Sequence, residues 1–152
     1  MKQNQTFKVA EIELTYKPNY KVTERPKITT SKDTYQLLMN YWEVGRLEFL
    51  EEFKIILLNR RNRTLGIINL SMGGFAGVVV DSKVIFAAAL TACASGIVLA
   101  HNHPSGEVQP SQQDIELTKR LVDGGKILDI AVLDHLIISS DGYYSFSDSG
   151  LI

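Results

Sequence analysis

The feature that most constrains the fold is an apolar stretch over residues 84–100. This stretch is too short to span a membrane, and Ser95 and Gly96 divide it into two parts. The first part predicts a helix over residues 83–94 that is apolar nearly all round and therefore buried. The second part, residues 97–100, is a short continuous apolar run of the kind found in central strands. The chain is therefore expected to fold around a buried helix followed by a buried strand.

The segments on either side of this stretch predict a sheet packed against helices. One helix is predicted after the cap residues 31–33, and another from Ser111 to a stop at Gly124 and Gly125. Strands are predicted within residues 6–22, at 53–58 and 65–70 as an antiparallel pair, at 78–80, at 130–139 and at 143–147. This mixture of helices and strands indicates the α/β class.

The length of the chain limits the number of domains, and its net charge bears on whether it binds nucleic acid. A chain of 152 residues suits one domain, and we assign residues 1–26 to an N-terminal strand or extension and residues 27–152 to the domain. The net charge of −1 shows no excess of basic residues of the kind that attracts nucleic acid, so we do not expect direct nucleic-acid binding. The cluster of Arg60, Arg61 and Arg63 lies between two predicted strands and is typical of a solvated turn.

The single cysteine and the first residues bear on the compartment. Because Cys93 is the single cysteine, the chain cannot form an internal disulfide, which fits a reducing compartment. The apolar neighbours of Cys93 predict that it is buried. Residues 1–7 contain no apolar leader segment. We therefore expect a cytoplasmic protein without a membrane association.

The residues that carry chemistry follow the predicted central strand. His101 and His103 lie two positions apart on an extended segment, so their side chains point to the same side and can converge on one ion. Asp114 lies in the first turn of the helix that begins after Ser111, so the chain can return its carboxylate to the strand end. Two imidazoles and one carboxylate with an open fourth position form the ligand set of a catalytic zinc ion.

Each part of this pattern has a simpler interpretation when taken alone. A His-x-His pair on a surface loop is common, and Ser111 with Asp114 is also a helix-capping arrangement. Together the residues spell His-x-His-x7-Ser-x2-Asp, which is the spacing of the JAMM motif. The residues Ala-His-Asn-His-Pro-Ser-Gly at 100–106 resemble the RadC branch of JAB/MPN domains in particular. The likeness continues through residues 128–130, 133–137 and 144–146.

The resemblance implies a cytidine-deaminase-like JAB/MPN fold, in which a mixed, largely antiparallel sheet has flanking helices. It also implies a zinc-dependent metallopeptidase that hydrolyses a peptide or isopeptide bond in a peptide or protein substrate. His101, His103 and Asp114 would be the Zn²⁺ ligands, and Ser111 would help to hold the water or the developing oxyanion. A glutamate would act as the general base, and the position that aligns with it here is Asn69.

Asn69 opens an alternative interpretation. An asparagine can hydrogen-bond a water but cannot accept its proton, so the chain could be a zinc-binding, catalytically silent module that recognises a protein partner. Glu107 in the nearby loop is a conceivable substitute base, although a solvated loop carboxylate is the simpler interpretation. The historical association of RadC-like proteins with DNA repair leaves direct DNA binding as a third hypothesis.

Three further residues border the predicted site. Asn102 and Ser105 flank the histidines, and we predict that they orient an imidazole or the loop, with ordinary turn chemistry as the alternative. His135 lies within a predicted strand, where a hydrogen-bonded core histidine is the interpretation we favour over a role near the metal.

Overall fold

The computed structural model describes residues 9–11, 13, 17–72 and 80–152. After a short 3-10 turn at Val22–Glu24, the elements are α1 (Ser31–Tyr41), α2 (Val44–Leu47), β1 (Glu52–Leu58), β2 (Thr64–Met72), α3 (Ser82–Thr91), β3 (Gly96–Asn102), α4 (Gln112–Ile127), β4 (Ala131–Ile138) and β5 (Tyr143–Ser145). The strands predicted within residues 6–22 and at 78–80 lie largely outside the described residues. The predicted division between residues 26 and 27 stays a prediction.

The five strands form one sheet in the order β2-β1-β3-β4-β5. Strand β1 pairs antiparallel with β2 and with β3, and β4 pairs antiparallel with β5. Only β3 and β4 are parallel, and helix α4 connects them. The expected α/β fold with a mixed, largely antiparallel sheet and flanking helices is confirmed.

Strand β3 lies at the centre of the sheet, and all seven of its residues are buried. Because side chains alternate along a strand, β3 contributes to a core on each face of the sheet. One core contains Phe53, Ile55, Ile85, Ala89, Ile97, Leu99 and Leu121, from β1, β3, α3 and α4. The other contains Leu38, Trp42, Leu47, Ile56, Val98, Ala100 and Leu136, from α1, α2 and three strands. The continuous apolar run at residues 97–100 is therefore explained by burial on both faces.

Two expectations about the first half of the apolar stretch are wrong. Helix α3 buries Ile85 and Ala89, but Val84 and Leu90 are each 50% exposed, because the helix packs against the sheet on one face only. Cys93 is exposed in the turn after α3, where its φ of 52° lies in the left-handed region. Neither property could be read from composition, since the exposure of Val84 and Leu90 depends on which side of α3 faces the sheet and that of Cys93 on the turn after the helix.

Helix α4 does not stop at Gly124 and Gly125 as predicted, but continues to Ile127. The two glycines serve close packing instead of termination. A Cβ at Gly125 would lie 2.2 Å from the carbonyl oxygen of Ile130, and one at Gly124 would lie 3.0 Å from the ring of Phe86. The missing side chains let α4 turn directly into β4.

The arginine cluster lies in the turn between β1 and β2, as expected. The side-chain oxygen of Asn59 accepts hydrogen bonds from the backbone N–H groups of Arg61 and Arg63, and the Arg63 guanidinium donates to the carbonyl of Arg25 at 2.9 Å. The cluster therefore organises a turn. Within the described part of the chain, no helix is both long enough and apolar enough to cross a membrane.

Replacing Gly125 by alanine tests whether α4 needs this close approach. We expect Gly125→Ala to lower the free energy of unfolding by about 1–3 kcal/mol, because backbone must move away from the added methyl group. A Cβ at Gly45 in α2 would meet nothing within 4 Å, so Gly45→Ala is the control and should be neutral or stabilising by about 1 kcal/mol or less. Chemical denaturation measures both, and equal effects of the two substitutions would contradict the packing role.

Candidate metal centre

The carboxyl end of β3 positions both histidines. His101 is in the strand, is only 2% exposed, and stacks on the ring of Phe53 with ring centroids 5.7 Å apart. His103 follows the strand end, and its backbone N–H donates to the carbonyl of Ile138 at 3.2 Å. The backbone at both positions is therefore held by sheet pairing, on the side where β1 and β4 meet β3.

The loop after β3 returns the chain to this point and begins helix α4. Gly106 has a φ of 86° in the turn, a conformation that favours glycine. Ser111 caps the helix: its hydroxyl accepts the backbone N–H of Asp114 at 3.1 Å, and its own N–H donates to the Asp114 carboxylate at 2.8 Å. The cap fixes the orientation of the Asp114 carboxylate, which the loop and helix bring beside the histidines.

The three predicted ligands converge. His101 Nε2 and His103 Nε2 lie 3.0 Å apart, and the two carboxylate oxygens of Asp114 lie 3.3 Å from the first and 3.6 Å from the second. Around a zinc ion with ligand distances of about 2.0–2.2 Å, tetrahedral ligand atoms are about 3.3–3.6 Å from one another. The two distances to Asp114 lie in this range and the distance between the histidine nitrogens is slightly shorter, so the three side chains could hold a zinc ion after a small adjustment.

A chain of hydrogen bonds determines which nitrogen of His101 faces the other ligands. The Thr118 hydroxyl donates its hydrogen to the carbonyl of Asp114 at 2.6 Å, so it must accept from His135 Nδ1, also at 2.6 Å. Burial, and then the neighbouring His101, hold the pKa of His135 well below its usual range, so its Nε2 carries a lone pair. That lone pair accepts from His101 Nδ1 at 2.7 Å, which leaves Nε2 of a neutral His101 free to bind a metal.

His103 is oriented in the same way by a different group. Its Nδ1 lies 2.6 Å from the carbonyl oxygen of Glu107, which can only accept, so Nδ1 must donate. A neutral His103 then also presents its Nε2 lone pair to the centre. Donation from a metal-ligating histidine to a carbonyl or another side chain is a general device for fixing the ring and its tautomer.

The electrostatics of the cluster favour a positive charge at this point. Burial opposes ionisation of Asp114, but hydrogen bonds from the protonated forms of His101 and His103, which carry a hydrogen on Nε2 as well, outweigh it and hold the pKa of the carboxyl well below its usual range. The hydrogen bond to Asp114 raises the pKa of His103, although burial acts against it. The same arrangement that attracts a proton would attract a metal cation.

Glu51, which the sequence interpretation missed, joins this cluster. A carboxylate oxygen of Glu51 and one nitrogen of each of His101 and His103 all lie within 4.8 Å of one another, so these three residues could also hold a metal ion. The strand register explains the position: Phe53 is opposite His101, and stepping back two residues brings Glu51 opposite His103. Antiparallel pairing of residues 53–58 with 96–101 was the signal that could have found it.

The structure does not bring Asn69 to the histidines. Asn69 is on β2 opposite Lys54, and its side-chain oxygen accepts from Lys54 Nζ at 2.5 Å. Lys54 alternates with Phe53 along β1, and its ammonium lies 4.4 Å from the ring of Trp42, on the α1 side of the sheet. The alignment of Asn69 with the expected glutamate is corrected by this geometry, since Glu51 is the acidic residue that lies beside the histidines.

The remaining predicted residues have identifiable partners around the site. Ser105 Oγ accepts the backbone N–H of Glu107 at 3.3 Å and so shapes the loop whose carbonyl orients His103. The Glu107 carboxylate accepts the N–H of Gln109 at 3.2 Å. Asn102 is fully buried, and its side chain hydrogen-bonds Leu47, Leu50 and the first residue of β1, Glu52, rather than the imidazole or loop that the sequence predicts.

A polar cleft opens beside His103. It encloses roughly 340 Å³ and is lined by residues of the 103–106 loop, the 139–141 turn and the end of α2. Glu48 and Asp141 lie in its lining, and the Glu48 carboxylate accepts a hydrogen bond from Ser140 at 2.8 Å. The cleft gives a peptide-sized group access to one side of the cluster.

Comparison with known proteins covers the part of the chain that contains this cluster. The family model described as "RadC-like JAB domain" matches residues 28–151. A UPF0758 protein of Flavobacterium johnsoniae is 45% identical over 125 residues, which are 82% of this chain and 53% of the relative. A UPF0758 protein of Caldanaerobacter subterraneus is 41% identical over 131 residues, which are 81% of this chain and 55% of the relative.

A third relative extends the match slightly. A UPF0758 protein of Porphyromonas gingivalis is 40% identical over 138 residues, which are 89% of this chain and 59% of the relative. The chain thus spans about half the length of the curated relatives it matches.

The role of His135 in fixing His101 can be tested without changing a ligand. We expect His135→Leu to weaken zinc binding by about 10–100-fold, because His101 Nδ1 loses its acceptor and the ring loses its fixed orientation. Ser145→Ala is the control, since this buried hydroxyl donates to Asp134 in the same part of the sheet. Competition with a chelating dye measures both affinities. Equal zinc affinity in wild type and His135→Leu would show that the hydrogen bond does not support the site.

Proposed function

Because this chain belongs to the RadC-like JAB domain family, we propose that it is a zinc-dependent peptidase that hydrolyses a peptide or isopeptide bond. One observation carries the proposal: two imidazole nitrogens and the Asp114 carboxylate converge at 3.0–3.6 Å, with a second carboxylate, that of Glu51, beside them. Three ligands with a free coordination position and an adjacent base are the minimum set for metal-assisted hydrolysis.

The donor set favours zinc over other common ions. Two neutral imidazoles and one carboxylate suit zinc, whereas calcium and magnesium prefer six or more oxygen ligands. When bound, zinc would lower the pKa of a water molecule to near neutrality and polarise the scissile carbonyl. The residues of this chain would hold the ion through His101, His103 and Asp114.

We assign the general base to Glu51 and the third ligand to Asp114. Asp114 is already fixed by its helix cap, and its carboxylate oxygens lie 3.3 and 3.6 Å from the nitrogens of the two histidines, close enough for all three residues to share one ion. Glu51 lies immediately before β1 and is only partly buried, so its carboxylate can exchange protons with solvent. In this position it would take a proton from the attacking water and deliver it to the leaving amine.

Ser111 would stabilise the developing negative charge on the substrate oxygen. Its hydroxyl oxygen accepts the N–H of Asp114, which leaves the hydroxyl hydrogen free to donate. The cleft beside His103 would receive the part of the substrate next to the scissile bond.

The alternative of a catalytically silent zinc module rested on Asn69. Since that residue binds Lys54 on the other face of the sheet and Glu51 supplies a carboxylate, the hydrolase is the function that the geometry supports best. The overall charge of −1 and the structural use of Arg63 in a turn favour a protein substrate over nucleic acid.

Substitution of Glu51 tests the proposal. We expect zinc-loaded Glu51→Gln to lose at least about 10²-fold in the rate of peptide-bond cleavage, because an amide cannot accept the proton. Cleavage is followed by mass spectrometry with a library of peptides and lysine-linked isopeptides as substrates.

Glu107→Gln is the matched control, since its carboxylate faces Gln109 and its carbonyl bond to His103 is retained. It should keep the wild-type rate. A library that the zinc-loaded wild-type protein leaves uncut, under conditions where zinc occupancy is complete, would overturn the peptidase proposal.

A further inference from the structure

We propose that Asn102 is a positioning residue that holds the general base Glu51 in place from the opposite face of the sheet. The inference rests on the proposed function and deepens it, because it assigns a role to the residue between the two histidine ligands. Asn102 lies between His101 and His103, but its side chain points away from them, as alternation along an extended segment requires.

The side chain of Asn102 binds the two peptide groups on either side of Glu51. Its Oδ1 accepts the backbone N–H of Glu52 at 2.7 Å, which belongs to the peptide group after Glu51. Its Nδ2 donates at 2.8 Å to the carbonyl of Leu50, which belongs to the peptide group before Glu51. Both backbone dihedral angles of Glu51 are therefore constrained by one amide.

The second Nδ2 hydrogen extends this attachment to helix α2. It donates at 2.7 Å to the carbonyl of Leu47, the last residue of that helix. Asn102 is 0% exposed, so water cannot replace these bonds. Asparagine is well suited to this position, because one short side chain supplies two donors and one acceptor.

An ion pair holds Glu52, the residue that follows the general base Glu51. The Glu52 carboxylate accepts from Lys54 Nζ at 2.6 Å, and both side chains are about 5% exposed or less. Glu52 is thus fixed through its backbone by β3 and through its side chain by β1. Glu51 precedes this fixed residue, and its side chain points toward the face of the sheet that carries the histidines.

The distance between the base and the metal ligands therefore depends on Asn102. The ordinary β1–β3 ladder ends at Phe53 opposite His101, two residues short of Glu51. The asparagine amide continues the connection beyond the ladder, from the strand that carries the ligands to the segment that carries the base. A displacement of about 1 Å at such a group can cost about 10²-fold in rate, so loss of the amide should act mainly on catalysis.

The test uses Co²⁺ as the metal probe, because its visible spectrum responds to the ligands and needs no substrate. The pH midpoint of the spectrum is measured for the Co²⁺-loaded wild type, Glu51→Gln, Asn102→Ala and the double variant. If Glu51 exchanges a proton with a water molecule bound to the Co²⁺ ion, Glu51→Gln will move the pH midpoint of the spectral change. We expect Asn102→Ala to move it in the same direction by about half a pH unit or more, with no further change in the double variant.

Controls separate positioning from loss of stability. Asn59→Ala removes a comparable asparagine, whose Oδ1 accepts two backbone N–H bonds at the other end of β1, and should leave the midpoint unchanged. If Asn102→Ala does not fold, Asn102→Asp keeps the acceptor for the N–H of Glu52 and offers at most one hydrogen to the two carbonyls. It should give a smaller shift in the same direction.

The outcomes distinguish this inference from the proposed function. A midpoint that moves in Glu51→Gln but not in the Asn102 variants would overturn the positioning role alone. A midpoint that moves in neither would overturn the role of Glu51 as base and the inference with it. Loss of Co²⁺ binding in Asn102→Ala would also overturn the inference, because Asn102 would then support the ligands. An additive shift in the double variant would mean that Asn102 acts independently of Glu51.

Discussion

The site depends on one electrostatic constraint: lone pairs of two imidazoles and a carboxylate face one another at 3.0–3.6 Å. Such groups repel unless a proton or a cation lies between them. The surrounding bonds maintain this arrangement: His135 accepts from one imidazole, and the Glu107 carbonyl accepts from the other. Each bond assigns a hydrogen to Nδ1 and leaves Nε2 directed inward. The protein is therefore organised to present metal-binding atoms, at the expense of repulsion when no positive charge is present.

The fold supplies the ligands from few elements. The parallel pair β3–β4, with α4 as its connection, brings a strand end and a helix beginning to the same edge of the sheet. In α/β folds this is where ligands commonly bind, because loops after parallel strands meet there. The residue that precedes the antiparallel partner β1 is Glu51, which approaches the histidines from the other side. The centre thus lies where both kinds of strand pairing meet, and the close approach of α4 at Gly125 keeps this connection short.

Much of this arrangement could be predicted from local sequence patterns. The central strand, the antiparallel pair β1–β2, the capped helix α4 and the placement of His101, His103 and Asp114 all follow from spacing within short segments. Glu51 was not found, because its position depends on the pairing of β1 with β3, which are about forty residues apart, and pattern analysis had paired β1 only with β2. The extent of α4 was missed for a similar reason: its glycines contact Phe86 and Ile130, and tertiary packing overrode their usual role as helix terminators.

The most direct measurement is the zinc content of the purified, zinc-saturated protein after removal of free metal, compared among wild type, Asp114→Ala and Glu51→Gln. In the proposed site, Asp114 completes the ligand set and Glu51 lies beside it as the base. The expected result is therefore about one zinc ion per chain in wild type and Glu51→Gln, and a large loss in Asp114→Ala. Retention of zinc in Asp114→Ala together with its loss in Glu51→Gln would contradict the account, because the carboxylate ligand would then be Glu51.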